Sequence, residues 1–433
     1  DRDGNPVQWT LLLGDNGVGK TTLLQCLAWM KPNVSEDKSR GSKGSEFLEP
    51  TLSTEENSTL TSLMRHGTDV EATLKATFSV GRYFQSREGS ANGRDITIGM
   101  TLLGSNGQLQ DAQSYPTNPE PMQPEHRHAS NLVMFAYGAA RRSGTLKVER
   151  VTPHSPLASI FRDSAELYDA EDILLNLDYR AAKVATERDK KRLRQIKQVL
   201  ASVLPDVGHE ENIQILGPEV LGHPSEPSGV KFKTDYGVVP LSGLSLGYQT
   251  TLTWIAELAL RLYEQYPDSS DPLSEPGIAL IDEIELHLHP RWQRRMMEDL
   301  SRWFPNLQFI ATAHSPLVVQ AAEGGNLAIL QKRNGEASIE MHSESVSEWR
   351  ADQILASDLF GIPSRSRSIE KLIKERDILL DMADRKPEDE IRLCSLEKKL
   401  DTLRTAEDPD DQAAMDLIRK VAEKLKDGGW NRS

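Results

Sequence analysis

Gly14-Asp15-Asn16-Gly17-Val18-Gly19-Lys20-Thr21 is a complete G-x-x-x-x-G-K-[ST] stretch, and its flanks decide the fold. An apolar run from Val7 to Leu13 leads in and reads as a buried strand. Thr22 to Met30 leads out with a helical pattern. The glycines let the backbone wrap closely around an anion, so that successive N–H groups and the helix N-terminus point at phosphate oxygens. Gly14, Asp15, Asn16, Gly17, Val18 and Gly19 make the cradle, with Thr22 in the first helical turn. Lys20 is expected to reach the β- and γ-phosphates, and the Thr21 hydroxyl to ligate Mg²⁺. ATP and Mg²⁺ are therefore the expected cofactors, and the fold class is α/β: a phosphate-loop sheet, parallel or mixed, with helices on both faces.

Further along, Ile278-Ala279-Leu280-Ile281 ends in Asp282-Glu283. A buried strand that ends in two carboxylates is costly unless the charges have work or partners. The pair makes sense if Asp282 holds Mg²⁺ and Glu283 orients and deprotonates an attacking water. His314 follows the strand Phe309-Ile310-Ala311-Thr312 and precedes Ser315-Pro316. A histidine there can donate a hydrogen bond and sense a phosphate. Leu244-Ser245-Leu246-Gly247-Tyr248-Gln249 stands just before an amphipathic helix, where Ser245 also reads as an N-cap.

The chain has 433 residues, 27% of them charged, and a net charge of −14. That excludes a bulk polyanion binder and leaves nucleic acid only a local basic patch. The two cysteines, Cys26 and Cys394, point to neither a disulfide framework nor a metal cluster, and fit a reducing cytoplasm. No apolar run approaches the roughly 18 residues needed to cross a membrane. The chain opens without an initiator Met, which predicts a trimmed start with an upstream strand missing.

Four segments are expected. Residues 1–150 form the N-terminal part of the head with the phosphate loop. Within them, Lys31 to Asn57 reads as a mobile aperiodic insertion, Ala72 to Val80 and Ile96 to Leu103 as strands, Tyr115 to Pro124 as a loop, and Leu132 to Tyr137 as a buried strand. Residues 151–229 form a helical lobe and a Pro/Gly linker. The lobe's centre is basic, with Arg180, Lys183, Arg188, Lys190, Lys191, Arg192, Arg194 and Lys197; it reads either as a solvated face or as a nucleic-acid or partner contact. Residues 230–346 form the C-terminal part of the head, with a helix over Arg291 to Trp303. Residues 347–433 form a tail of three helices, Ile369 to Met382, Pro387 to Leu403 and Pro409 to Leu425, where Leu393, Leu396, Leu400 and Leu403 fall at the 3/4 spacing of helix-hairpin packing.

The phosphate loop, the Ser245–Gln249 stretch, Asp282-Glu283 and His314, in this order, resemble an ABC-type ATPase head. The Ser245 stretch is similar to the family signature L-S-G-G-Q, with Leu246 in place of the first glycine and Tyr248 inserted before Gln249. Asp282-Glu283-Ile284-Glu285-Leu286-His287-Leu288-His289-Pro290 with Ala313-His314-Ser315-Pro316 resembles the RecF, SMC and OLD group, over roughly residues 7 to 342. The resemblance implies a switch role for His314 at the γ-phosphate and a D-loop over Glu285 to His289 at a dimer seam. It implies head-to-tail pairing of two copies around ATP, with Ser245 and Gly247 of one contacting nucleotide held by the other. Gln113 and Gln123 stand in a suitable stretch for the family's Q-loop glutamine but lack its sequence context, so the residue is not assigned.

Tyr137-Gly138-Ala139-Ala140-Arg141 and Ser357-Asp358-Leu359-Phe360-Gly361 resemble PtuA-like proteins of Septu and retron anti-phage systems. This implies a separate HNH nuclease docked by the C-terminal helices, and, in retrons, a reverse transcriptase with its RNA/DNA. Two alternatives stay open: a RecF-like repair ATPase on DNA junctions, and an OLD-type nuclease. The latter needs a TOPRIM domain, for which the helical tail offers no strand ending in a carboxylate set.

Overall fold

A computed structural model describes residues 7–36, 46–50, 70–79, 95–105, 108–116, 132–141, 155–204, 207–216, 229–235, 237–333, 336–342, 346–357, 359–360, 367–382 and 386–401. The strands, in chain order, begin with β1 (Trp9–Gly14), β2 (Pro32–Glu36), β3 (Glu46–Pro50), β4 (Val70–Ser79) and β5 (Asp95–Ser105). They continue with β6 (Gln108–Pro116), β7 (Met134–Tyr137), β8 (Ile213–Leu216), β9 (Gly229–Thr234) and β10 (Gly237–Pro240). The last four are β11 (Gly277–Ile281), β12 (Leu307–Thr312), β13 (Asn326–Arg333) and β14 (Glu336–His342). The helices are α1 (Lys20–Trp29), α2 (Ala158–Phe161), α3 (Ala170–Lys183), α4 (Glu187–Val203), α5 (Leu246–Gln265), α6 (Pro290–Gln293), α7 (Met296–Trp303), α8 (Pro316–Ala321), α9 (Ala351–Ala356), α10 (Arg367–Asp381) and α11 (Pro387–Asp401).

Six strands form the main sheet in the order β14-β13-β1-β12-β11-β7. All neighbours are parallel except β14, which runs antiparallel to β13. Strands buried on both faces read as continuous apolar runs, and alternate residues then feed opposite layers. Leu11, Leu13, Ala279, Ile281, Phe309 and Ala311 enter the larger core with α3, α4 and α5. Leu12, Leu280, Ala328 and Leu330 enter a second core with Leu24, Ala28 and Trp29 of α1. Because β12 lies between β1 and β11, the turns that leave these three strands share one edge of the sheet, where open α/β sheets bind ligands.

Several sequence expectations change. The segment Lys31 to Asn57, expected as a mobile aperiodic insertion, contains β2 and β3, paired antiparallel from Pro32↔Pro50 to Glu36↔Glu46. β6 runs as far as Pro116, into the expected loop, and pairs with β5. The helical lobe expected within residues 151–229 contains α3 and α4, broken where Ala185 takes φ 55° and Thr186 caps α4 by accepting from Asp189 N at 3.1 Å. Arg291 to Trp303 likewise splits into α6 and α7.

Three of the six basic side chains of α4 bond a neighbouring segment. Arg188 donates to the Pro267 carbonyl at 2.8 Å, Lys191 to Ser270 O at 2.8 Å and Arg192 to Pro267 O at 3.3 Å. These acceptors lie just beyond the C-terminal end of α5, where cations are favoured. The same helix carries a buried pair: Glu257, 2% exposed, accepts from Arg261 Nε at 2.6 Å and from the Tyr168 backbone N–H at 3.0 Å. Arg261 also lies 5.3 Å over the Tyr168 ring.

Two compact units divide the chain, Asp1–Phe360 and Gly361–Ser433. Residues 347–360, grouped with the tail on sequence grounds, therefore belong with the head; Ile354 and Leu359 enter its core, and Gln320 Nε2 donates to Trp349 O at 2.7 Å. In the second unit, α10 and α11 bury Leu379, Leu393 and Leu396 against Leu372, and Arg392 pairs with Glu375 at 2.7 Å. Leu403 and the expected helix Pro409 to Leu425 lie outside the described residues. Among the described residues, no helix is long and apolar enough to cross a membrane.

The pair in α5 gives a test of how the lobe is attached. Glu257→Ala leaves the Arg261 guanidinium buried without its carboxylate, and is expected to cost about 3–5 kcal/mol. Denaturant unfolding should show a clearly lowered midpoint; a shift of about 0.5 kcal/mol or less would mean the pair is not what holds Tyr168 to α5.

Candidate functional site

The phosphate loop joins β1 to α1. Gly14 has φ 142°, and a Cβ there would lie 2.3 Å from Leu330 O on β13, so the tight turn needs glycine. Gly17 at φ 76° and Gly19 at φ 107° also take conformations that L side chains rarely adopt. No side chain caps α1, whose N-cap is Gly19, and no acidic residue stands in its first turn. Its first N–H groups are thus kept for an anion. Asp15, Asn16, Gly17, Thr21 and Thr22 are exposed along the rim, with Val18 half-buried. The Lys20 side chain is 6% exposed and donates to Gly14 O at 2.8 Å and Asp15 O at 2.9 Å. Burial holds its ammonium below the ordinary lysine range, while Asp282 and Glu283 oppose that shift.

Asp282, 4% exposed, accepts from Thr21 Oγ1 at 2.8 Å on one oxygen and from Thr312 Oγ1 at 2.7 Å on the other. The Glu283 backbone N–H donates to Thr312 Oγ1 at 2.6 Å. These bonds join the ends of α1, β11 and β12. The Thr21 hydroxyl uses its one proton on Asp282, which leaves a lone pair for a cation. A hydroxyl and a carboxylate are hard oxygen donors, the set that suits Mg²⁺.

Glu283 has φ 47°, an uncommon left-handed conformation for a residue with a side chain. Its carbonyl and that of Asp282 turn onto one buried guanidinium. Arg141 Nη1 donates to Asp282 O at 2.5 Å and Gly138 O at 3.0 Å, and Nη2 to Glu283 O at 2.8 Å. Burial lowers the Arg141 pKa to about 10, against the pull of Asp282, Glu283 and Glu285.

Glu285 was expected at a dimer seam. Within its own chain its Oε1 accepts from the His314 backbone N–H, and its Oε2 is buried without a hydrogen-bond partner. Burial raises its pKa and the His314 N–H partly restores it. Of the expected D-loop, His287 (φ 64°) and His289 are exposed, and His289 Nδ1 caps α6 through Arg291 N at 3.3 Å. His314 is half-buried; burial, then Lys20, lower its pKa, with Glu283 and Asp282 opposing.

Ser245 is exposed and caps α5 by accepting from Tyr248 N at 3.5 Å. Gly247 is buried, and a Cβ on it would meet His287 O at 2.2 Å. The start of α5 thus abuts the loop after β11 of its own chain, beside Tyr248 and Trp292, whose rings are 3.9 Å apart. Gln249 Nε2 braces the preceding turn through Leu244 O at 2.7 Å. Gln113 pairs with Thr101 in the β4–β6 sheet, and Gln123 lies outside the described residues.

The fold therefore brings together Lys20, Thr21, Asp282, Glu283 and His314. Sequence reading missed Thr312 and the inward role of Glu285, and took Arg141 only as part of a resemblance. No signal along the chain marked Arg141, because its role depends on β7 lying beside β11 in the sheet.

The sequence profile of a family described as "AAA domain, putative AbiEii toxin, Type IV TA system" matches residues 10–320, well over half of the chain. The chain belongs to this family. It is 32% identical over 184 residues to "Retron Ec83 probable ATPase" of Escherichia coli, covering 42% of this chain and 32% of that protein. It is 24% identical over 377 residues to "Septu protein PtuA" of Bacillus mycoides (strain KBAB4), covering 86% of this chain and 43% of that protein. The chain spans less than half the length of these curated relatives. A solved SMC head, described as bound to the C-winged helix domain of ScpA, matches with a TM-score of 0.44 and 13% identity, over 79% of this chain and 91% of that one. The resemblance to retron and PtuA-like ATPases read from the motifs is thus borne out.

His314 gives a pH test. Burial depresses its pKa in the fold, so on acidification the unfolded chain takes up this proton first. The stability it contributes is present above its ordinary value near 6.5 and is lost as pH falls from there toward the lowered folded value. Wild type should lose more stability than His314→Gln between pH 7 and pH 5 in denaturant melts. Equal losses would show that the imidazole titrates as freely as in the unfolded chain.

Proposed function

We propose that this chain binds Mg²⁺–ATP at the phosphate loop, hydrolyses it, and uses the cycle to control a partner effector in prokaryotic anti-phage defence. The observation that carries the catalytic half is the Asp282 carboxylate, hydrogen-bonded to Thr21 at 2.8 Å with Glu283 next in the chain. The loop N–H groups and the α1 N-terminus bind the phosphates, and Lys20 exchanges its carbonyl partners for the β- and γ-oxygens. Thr21 and Asp282 would hold Mg²⁺, which when bound neutralises charge on those oxygens. Glu283 takes the proton of the attacking water, and His314 contacts the γ-phosphate. Phosphoryl transfer needs mainly positioning and charge stabilisation, which this cluster is arranged to give.

The defence role rests on the likeness to the retron and Septu proteins. On this reading two heads pair head-to-tail, Ser245 and Gly247 of one facing nucleotide on the other. The C-terminal helices dock an HNH nuclease. Arg188, Lys191 and Arg192 are engaged within the chain, which weighs against the RecF-like reading of a DNA-binding basic face.

Lys20→Ala is expected to abolish ATP binding, and Glu283→Gln to keep binding while slowing turnover by about 100-fold or more. A radiolabelled phosphate-release assay showing normal hydrolysis by Glu283→Gln would rule out the general-base role. The partner half is tested by native mass of the Glu283→Gln complex purified with ATP from its host. A nuclease that travels with the full chain, and is lost when residues 361–433 are deleted, is the expected result; a chain that pairs only with itself would favour the repair reading.

A further inference from the structure

Arg141 has no part in the reading of the phosphate loop, yet it is the cation that the catalytic strand end is built upon. It is 5% exposed, beyond the end of β7. β7 pairs with β11 through Ile281↔Tyr137, and Asp282 N donates to Tyr137 O at 2.8 Å, so the two strand ends leave the sheet side by side. A bidentate guanidinium suits two neighbouring acceptors. Here the acceptors are the consecutive carbonyls of Asp282 and Glu283, at 2.5 and 2.8 Å. Turning both carbonyls to one side fixes the peptide plane between the two residues. That orientation goes with the left-handed φ of 47° at Glu283, which costs about 1–3 kcal/mol unless its surroundings over-determine it. The carboxylates of Asp282, Glu283 and Glu285 all act on the guanidinium, so it also supplies positive charge behind the acidic cluster.

We propose that Arg141 is a positioning residue for ATP hydrolysis: by clamping the Asp282 and Glu283 carbonyls it aims the Glu283 carboxylate at the attacking water, and it serves turnover, not nucleotide binding. This rests on the ATPase reading above. Lysine keeps the charge but lacks the fork, so one of the two carbonyls loses its partner. Arg141→Lys should lower kcat tenfold or more, with KM for ATP and the affinity for a fluorescent ATP analogue within about twofold of wild type. Because the residue acts through Glu283, Arg141→Lys should change the residual rate of Glu283→Gln by less than twofold; residues that act as a unit are not additive.

The experiment is steady-state ATPase kinetics and analogue titration on the full chain, wild type and the three variants, each checked by thermal unfolding. Wild type without turnover would remove the ATPase reading and this proposal with it. Wild type that turns over beside an unimpaired Arg141→Lys overturns the proposal alone. So does the same fold-loss in the Glu283→Gln background, or a loss carried by analogue binding. If Arg141→Lys does not fold, Arg141→Gln, which keeps a planar donor, is measured in its place; failure of both to fold would assign Arg141 to stability and overturn the proposal.

Discussion

The Asp282 carboxylate is held by two threonine hydroxyls from two different elements, Thr21 in the first turn of α1 at 2.8 Å and Thr312 at the end of β12 at 2.7 Å. A carboxylate buried at 4% exposure is tolerated only when its oxygens are paired, so these bonds must form for the head to close. Their consequence is geometric. The phosphate loop, the acidic strand end and the segment leading to His314 cannot move independently, because the anion they share would be left unsatisfied.

Around that carboxylate the protein arranges a small set of opposed charges. Lys20 rests on loop carbonyls, Arg141 lies behind the acidic backbone, and Glu285 reaches across to the His314 N–H. Burial works against the charged form of each; opposite charges partly offset this for Lys20 and Arg141, and the His314 N–H does so for Glu285. Such preorganisation suits a reaction in which charge moves over phosphate oxygens and the protein supplies position. The left-handed backbone at Glu283 and His287 fits the same view, since strain of this kind persists where surrounding contacts over-determine it.

The start of α5 is part of this frame as well. Gly247 lets the helix approach His287 O so closely that no side chain would fit, and His287 belongs to the loop that leaves β11. The exposed Ser245 end of α5 therefore lies near the acidic strand end of its own chain.

Local sequence determined the parts whose physics is local. The phosphate loop was legible because glycines at positive φ, a lysine and a threonine have to stand at fixed spacing between a strand and a helix. The buried strands β1, β11 and β12 were legible as apolar runs, and Asp282, Glu283 and His314 as polar residues where such runs stop. Tertiary structure decided the rest. β2, β3 and β6 carry polar sequence, and pairing, not periodicity, makes them strands. Arg141, Thr312 and Glu285 take their roles from strand order, which sets residues far apart in sequence within hydrogen-bond reach. No spacing along the chain can announce that kind of neighbour, because the contact exists only once the sheet has formed.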